Sequence, residues 1–223
     1  MWHLRGYLPA DYCPGTVHVD FEVAIHIAVR QVWPEASIFG CRFHLGQSWF
    51  RKLQQLGLQS AYRARSSAGS FLRNFFSLSF LHPEEIEDCI HQDFNAIAPD
   101  LPRVDEFVEY ILEEYVVGGC RFPPSMWAVY DAEQIRTTNA CEALNSKLNS
   151  MFYHSHPHIF LLIDALLEIQ DMSYMKMRSP GNAKTDPKES IIKEYMTRLE
   201  QREIDRVTFV HDLSRKFMPK KIK

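Results

Sequence analysis

Residues 16–53, TVHVDFEVAIHIAVRQVWPEASIFGCRFHLGQSWFRKL, decide the fold. Thr16 to Val19 predicts a short strand that ends in an acid, Asp20, with Glu22 close behind. Ile25, Val29 and Val32 then recur at helical spacing, so a helix follows the strand. Pro34 interrupts, and Ala36 to Phe43 predicts a second strand that delivers Cys41 and His44 to its far end. Leu45, Trp49, Leu53 and Leu56 mark the next helix. A strand–helix–strand–helix order places both strands in one sheet, with Asp20, Cys41 and His44 along a single edge.

The chain has 223 residues and is 46% hydrophobic, enough for a sizeable core, and no apolar run approaches the roughly 20 residues that span a bilayer. No membrane partner is expected. MWHLRGYLPADYC lacks the basic start and apolar run of a signal peptide, so an intracellular protein is expected. Five scattered cysteines (13, 41, 89, 120 and 141) argue against a disulfide framework. The net charge of −3 hides a strong segregation of sign. Arg42, Arg51, Lys52, Arg63, Arg65 and Arg73 fall in one stretch without an acid, residues 84–114 carry eleven acids and only Arg103, and the last segment is basic again. Basic stretches of this kind neutralise DNA phosphates; the plainer reading is solvated helix faces or pairing with the acidic segment.

Strand signals fade after Leu58, and a helical block runs from Ala61 to about Trp127. SFLRNFFSLSFL ends at His82-Pro83, and PEEIEDCIHQDF starts a helix with Pro83 and acids in its first turn. Val104, Phe107, Val108, Ile111, Leu112, Tyr115 and Val116 give the cleanest apolar face, closed by Gly118-Gly119. Beyond Pro157, Ile159, Leu162, Ile163, Leu166, Leu167 and Ile169 predict a long helix, apolar nearly all round and therefore buried. SPGNAKTDP reads as a linker, and PKESIIKEYMTRLEQREIDRVTFVHDLSRKF as one mixed-charge helix before the basic tail MPKKIK.

Four pieces in order, VDFEVAI, WPEA, GCRFHLGQSWFRKLQQLGL and RTTNACEALNSKLN, resemble the transposase domain of Mutator-like (MULE) elements, over roughly Gly15 to Met175. The resemblance implies an α+β, mostly helical fold, with part of an RNase H-like sheet and an all-helical insertion. It divides the chain into residues 1–58 with the sheet, 59–135 as the insertion, 136–178 as closing helices, and 179–223 as linker and charged C-terminal helix. It also implies metal-dependent DNA cleavage and strand transfer by an Asp, Asp, Glu triad, in a nuclear setting, with Asp20 as the second acid and Glu142 as the third. In the family the first Asp lies on an earlier strand. Here the sole acid before Asp20 is Asp11, in the turn-like LPADYCPG, so the expectation is an N-terminally truncated domain, inactive alone. A partner chain or a homo-oligomer is a candidate source of the missing strands.

The implied cofactor is Mg (or Mn), because hard oxygen donors from converging carboxylates hold such ions. Glu142 also has a plainer role: with Asn139 three residues before it, it completes a helix capping box. Arg136 and Asn139, with Arg42, Arg51 and Lys52, are the candidate DNA contacts. Cys41-x-x-His44 supplies half of a zinc site, with Cys89 and His91 or the histidines of HSHPH as candidates for the rest. A buried Cys beside a hydrogen-bonded His is the plainer reading. The alternative function is a non-catalytic, transposase-derived module that binds DNA or protein.

Overall fold

The computed structural model describes residues 6, 8, 9, 11–128, 139–154, 156–178 and 187–217, and the side chains of residues 139–142, 187, 188 and 217 lie outside this description. It forms two compact units, one comprising residues 1–137 and 188–223, the other residues 138–187. The chain is mostly helical with a small parallel sheet, as expected.

In the first unit, β1 (Thr16–Val19) leads into α1 (Val23–Val32), and β2 (Ser37–Gly40) leads into α2 (Arg42–Gln55). The strands pair in parallel, with Thr16 opposite Ser37 and Val19 opposite Gly40. A parallel pair requires a crossover, which α1 supplies. β1 matches its expected span, while β2 is shorter than the expected Ala36 to Phe43. Cys41 already serves as the N-cap of α2, so Arg42, Phe43 and His44 lie in the helix.

The block after α2 is helical, as its sequence pattern predicts. It comprises α3 (Gln59–Arg63), α4 (Ser67–Asn74), a 3-10 run (Phe75–Phe80), a short turn of helix that passes into a π-helical segment (Cys89–Phe94), α5 (Val104–Tyr115) and α6 (Pro124–Trp127). Gly69 lets α4 approach α3 closely, because a Cβ there would stand 2.3 Å from the Ala64 carbonyl oxygen. Arg73 bridges the same corner, donating to the carbonyls of Tyr62 at 2.6 Å and Ala64 at 2.9 Å. That guanidinium is therefore occupied in holding the fold.

The core centres on Trp49 of α2, fully buried, with edge-to-face contacts to Phe76, Tyr115 and Trp127. Trp127 donates its indole N–H to the carbonyls of Tyr115 and Phe122, and this ties α6 to the end of α5. Phe75 joins Phe71, Phe94 and Phe107 in a second aromatic group, so all six residues of the 3-10 run are buried. Aromatic pairs in these geometries add about 0.5–1.5 kcal/mol beyond the area they bury.

The second unit contains α7 (Asn139–Ser150) and α8 (Ile159–Arg178). The expectation that α8 is buried is corrected. Ala165 and Ile169 are buried, but Ile159, Phe160, Leu161, Ile163, Leu166 and Leu167 are 44–68% exposed. Apolar content does not create a neighbour, and this unit has too few elements to cover more than one face.

The expected single C-terminal helix is also corrected to two, α9 (Pro187–Glu200) and α10 (Arg206–Phe217). Arg202 adopts a left-handed φ of 58° in the break, and Asp205 accepts the Thr208 amide at 2.7 Å to start α10. From Lys188 on these helices fall in the first unit, where α10 packs on α4, the 3-10 run and the π segment. The expected linker at 179–187 and the tail at 218–223 fall almost wholly outside the described residues, Pro187 alone being described as the start of α9.

Arg206 anchors α10 by an ion pair with Asp93 on the π segment, the side chains being 22% and 24% exposed. Burial pushes the neighbouring Cys89 thiol up to about 12, so it stays protonated as core. Arg206→Ala is expected to cost about 1.5–3 kcal/mol, the range for a hydrogen bond to a charged group, measured by urea unfolding. Asp93→Asn should cost a similar amount, and the double variant less than the sum of the two.

Candidate functional site

The carboxyl ends of β1 and β2 bring Asp20 and Cys41 to the same edge, as expected. The Cys41 amide donates to the Val19 carbonyl at 2.7 Å, extending the strand pairing by one bond past the register pair Val19–Gly40. Asp20 is half-buried in the turn between β1 and α1, and its Oδ1 accepts the Glu22 amide at 3.2 Å.

Two residues that sequence reasoning did not single out hold this turn. His26, one turn into α1, is only 4% exposed, and its Nε2 lies 2.6 Å from the Asp20 carbonyl oxygen. A carbonyl oxygen only accepts, so Nε2 carries a proton, and Nδ1 is buried without a hydrogen-bond partner among the described residues. The imidazole also lies against Phe122 at 5.3 Å. Phe21 fills the other side of the turn, edge-on to Phe122 at 5.1 Å and to Tyr115 at 6.0 Å. Its ring lies over Gly40, where a Cβ would come 2.4 Å from Cζ. The glycine at the end of β2 is thus the space into which the residue after Asp20 packs. His26 shares the buried face with Val29 and Val32, a placement that apolar periodicity passes over.

Cys41 is buried, and His44 follows in the first turn of α2. Cys89 and His91 lie in the π segment, and His154, His156 and His158 belong to the other unit. Among the described residues no group of three or more His, Cys, Asp or Glu side chains comes together to hold a metal. For Mg the donor type fits at Asp20, a hard carboxylate at an accessible edge, but one carboxylate does not complete a coordination shell. Glu142 lies on α7 in the second unit, with its side chain outside the described residues. The same holds for Asn139, and Arg136 lies wholly outside them.

The candidate DNA contacts on α2 are not gathered on one face. Arg42 lies over the Phe80 ring at 4.7 Å and Lys52 over the Tyr110 ring at 4.8 Å, while Arg51 is exposed. Nine residues separate Arg42 from Arg51, two and a half turns at about 3.6 residues per turn, so they point to opposite sides of the helix. Beside Lys52, the hydroxyls of Ser48, Tyr110 and Tyr115 form a closed triangle at 2.9–3.3 Å. Burial holds the Tyr115 hydroxyl well above the usual phenol range.

Comparison with models of known families, with characterised proteins and with solved structures finds no match for this chain.

Gly40→Ala is expected to destabilise the first unit by about 1–3 kcal/mol, the usual cost of overpacking, and Phe21→Leu in the same chain to restore part of the loss. Thermal unfolding of the three variants checks this. Equal losses in Gly40→Ala with and without Phe21→Leu would show that the ring is not the obstacle.

Proposed function

We propose that this chain is a transposase-type domain of the Mutator-like class, with Asp20 as one of its metal-binding carboxylates and DNA as its partner. The observation that carries this reading is the placement of Asp20 at the carboxyl edge of a parallel strand pair, each strand running into a helix. In open sheets of this kind ligands bind at the carboxyl ends of the strands. The half-buried turn, pinned by His26 and filled by Phe21, fixes the backbone from which the carboxylate projects. The helical block that separates Asp20 from Glu142 in sequence also fits the insertion that the resemblance implies.

In this reading the chain supplies two acids, Asp20 and Glu142, to a site that requires three. Asp11, the sole acid before Asp20, is exposed in a turn closed by the Tyr12 amide on the Pro9 carbonyl, whereas the resemblance implies a strand-borne first acid. The Mg ion, when bound, supplies charge stabilisation at the scissile phosphate. The residues of this chain hold it and position the DNA backbone, and the chain alone does not cut.

Supercoiled plasmid incubated with the chain and Mg²⁺ or Mn²⁺ is expected to stay unnicked, while DNA binding tightens as salt falls. Mn²⁺ binding, read by electron paramagnetic resonance, should weaken by about tenfold or more in Asp20→Asn and in Glu142→Gln, since each removes one charged ligand. Mn²⁺ binding unchanged in both variants would contradict the assignment of the two acids. Nicking that is lost in both would show that the chain completes its own site.

A further inference from the structure

The exposed face of α8 has a regularity that its local packing does not require. Phe160, Ile163, Leu167, Gln170, Tyr174 and Met177 follow one another at spacings of 3, 4, 3, 4 and 3 residues. That is the seam of a left-handed coiled coil, sustained over the length of the helix. All six are exposed, from 44% at Ile163 to 80% at Met177 among the apolar ones. The opposite stripe, Leu162, Ala165, Ile169 and Met172, is buried or half-buried. The helix therefore has one face already used and a second, equally regular face that is open.

We propose that this face pairs with the same face of a second copy of the chain, in parallel, about a two-fold axis along α8. The pairing stands independently of the function proposed above. The choice of occupant rests first on Gln170. It interrupts an otherwise apolar seam, and among the described residues its Nε2 donates to the Tyr174 hydroxyl alone, at 3.3 Å. On an apolar partner surface its amide would be desolvated without a full set of bonds. In a parallel two-fold pair it meets the amide of its own copy, which donates and accepts in return, the arrangement by which a single polar seam residue sets register.

Charge decides the direction. Asp164, Asp171 and Arg178 flank the seam on one side, and Ile159, Leu166 and Ser173 flank it on the other. An antiparallel pair sets the acidic flank against itself, Asp164 facing the other copy's Asp171, and places Gln170 on Leu167. A parallel pair sets the acidic flank against the apolar one and leaves no like charges opposed. The area is also adequate. Phe160, Ile163, Leu167, Tyr174 and Met177, with Ile159 and Leu166 beside them, offer on the order of 700 Å² per chain, against roughly 800 Å² per partner in a standard stable interface.

Sedimentation equilibrium of the full chain is expected to show a dimer, and Ile163→Asp to weaken it by about 100-fold or more with the far-ultraviolet spectrum unchanged. Gln170→Leu should tighten association while loosening register. Phe160→Cys should form a disulfide-linked dimer on mild oxidation, with peptide mapping joining residue 160 to residue 160 of the other copy. A monomer at all concentrations, a mass unaffected by Ile163→Asp, or a Gln170→Leu variant that associates more weakly would overturn the proposal. So would Phe160→Cys that links only when mixed with Met177→Cys, or only to a residue of its own chain.

Discussion

Everything near the candidate site depends on one small piece of packing, the seating of the Phe21 ring over Gly40. β1 and β2 are four residues each, too short for their own hydrogen bonds to fix how they end. The ring of Phe21, held from behind by Phe122 and Tyr115, locks the turn after β1 onto the last residue of β2. His26 adds the directional bond, from its Nε2 to the Asp20 carbonyl. Apolar packing thus sets where the turn sits, and the imidazole sets how it is rotated. The Asp20 carboxylate projects from a backbone restrained on both counts.

The same economy governs the larger core. Trp49 is surrounded by rings from the 3-10 run, from α5 and from α6, elements distant in sequence, so the helical block and the strand pair share one interior. The C-terminal helices close that interior from outside. Arg206 reaches Asp93, His211 faces Ser70 at 3.3 Å, and Ser214 donates to Asn74 within the buried region. Part of the charge segregation along the sequence has its explanation here: a base from the basic end segment pairs with an acid from the acidic middle. The basic stretch on α2 does not resolve in the same way. Its residues are split between ring contacts and solvent.

Several elements were legible in the sequence because local physics and tertiary context agreed. β1 ends where the acid stops the apolar run, and α5 shows its buried Val104, Phe107, Ile111 and Tyr115 as a plain helical stripe. β2 was overextended because Arg42 and Phe43 suit a strand locally, yet the backbone turns at Cys41 to begin α2. The break between α9 and α10 had a signal, since Asp205 is a good N-cap, but the i,i+4 charge pairs Glu189–Lys193 and Glu194–Arg198 before it masked it. The exposed face of α8 could not be read from periodicity, which reports how apolar a helix is and not what lies beside it. His26 was missed for the opposite reason. A histidine on an apolar face carries no sequence mark of the carbonyl it will meet.

The restrained Asp20 turn is tested most directly by the tautomer of His26, measured through long-range proton–nitrogen correlations of the imidazole ring in uniformly labelled protein. The account predicts a single Nε2–H tautomer whose Nε2 proton exchanges slowly with solvent, with both features lost on unfolding. An Nδ1–H tautomer, or a ring proton exchanging as fast as in a free peptide, would mean that the imidazole does not hold the Asp20 carbonyl, and the turn would lose the restraint on which the site is built.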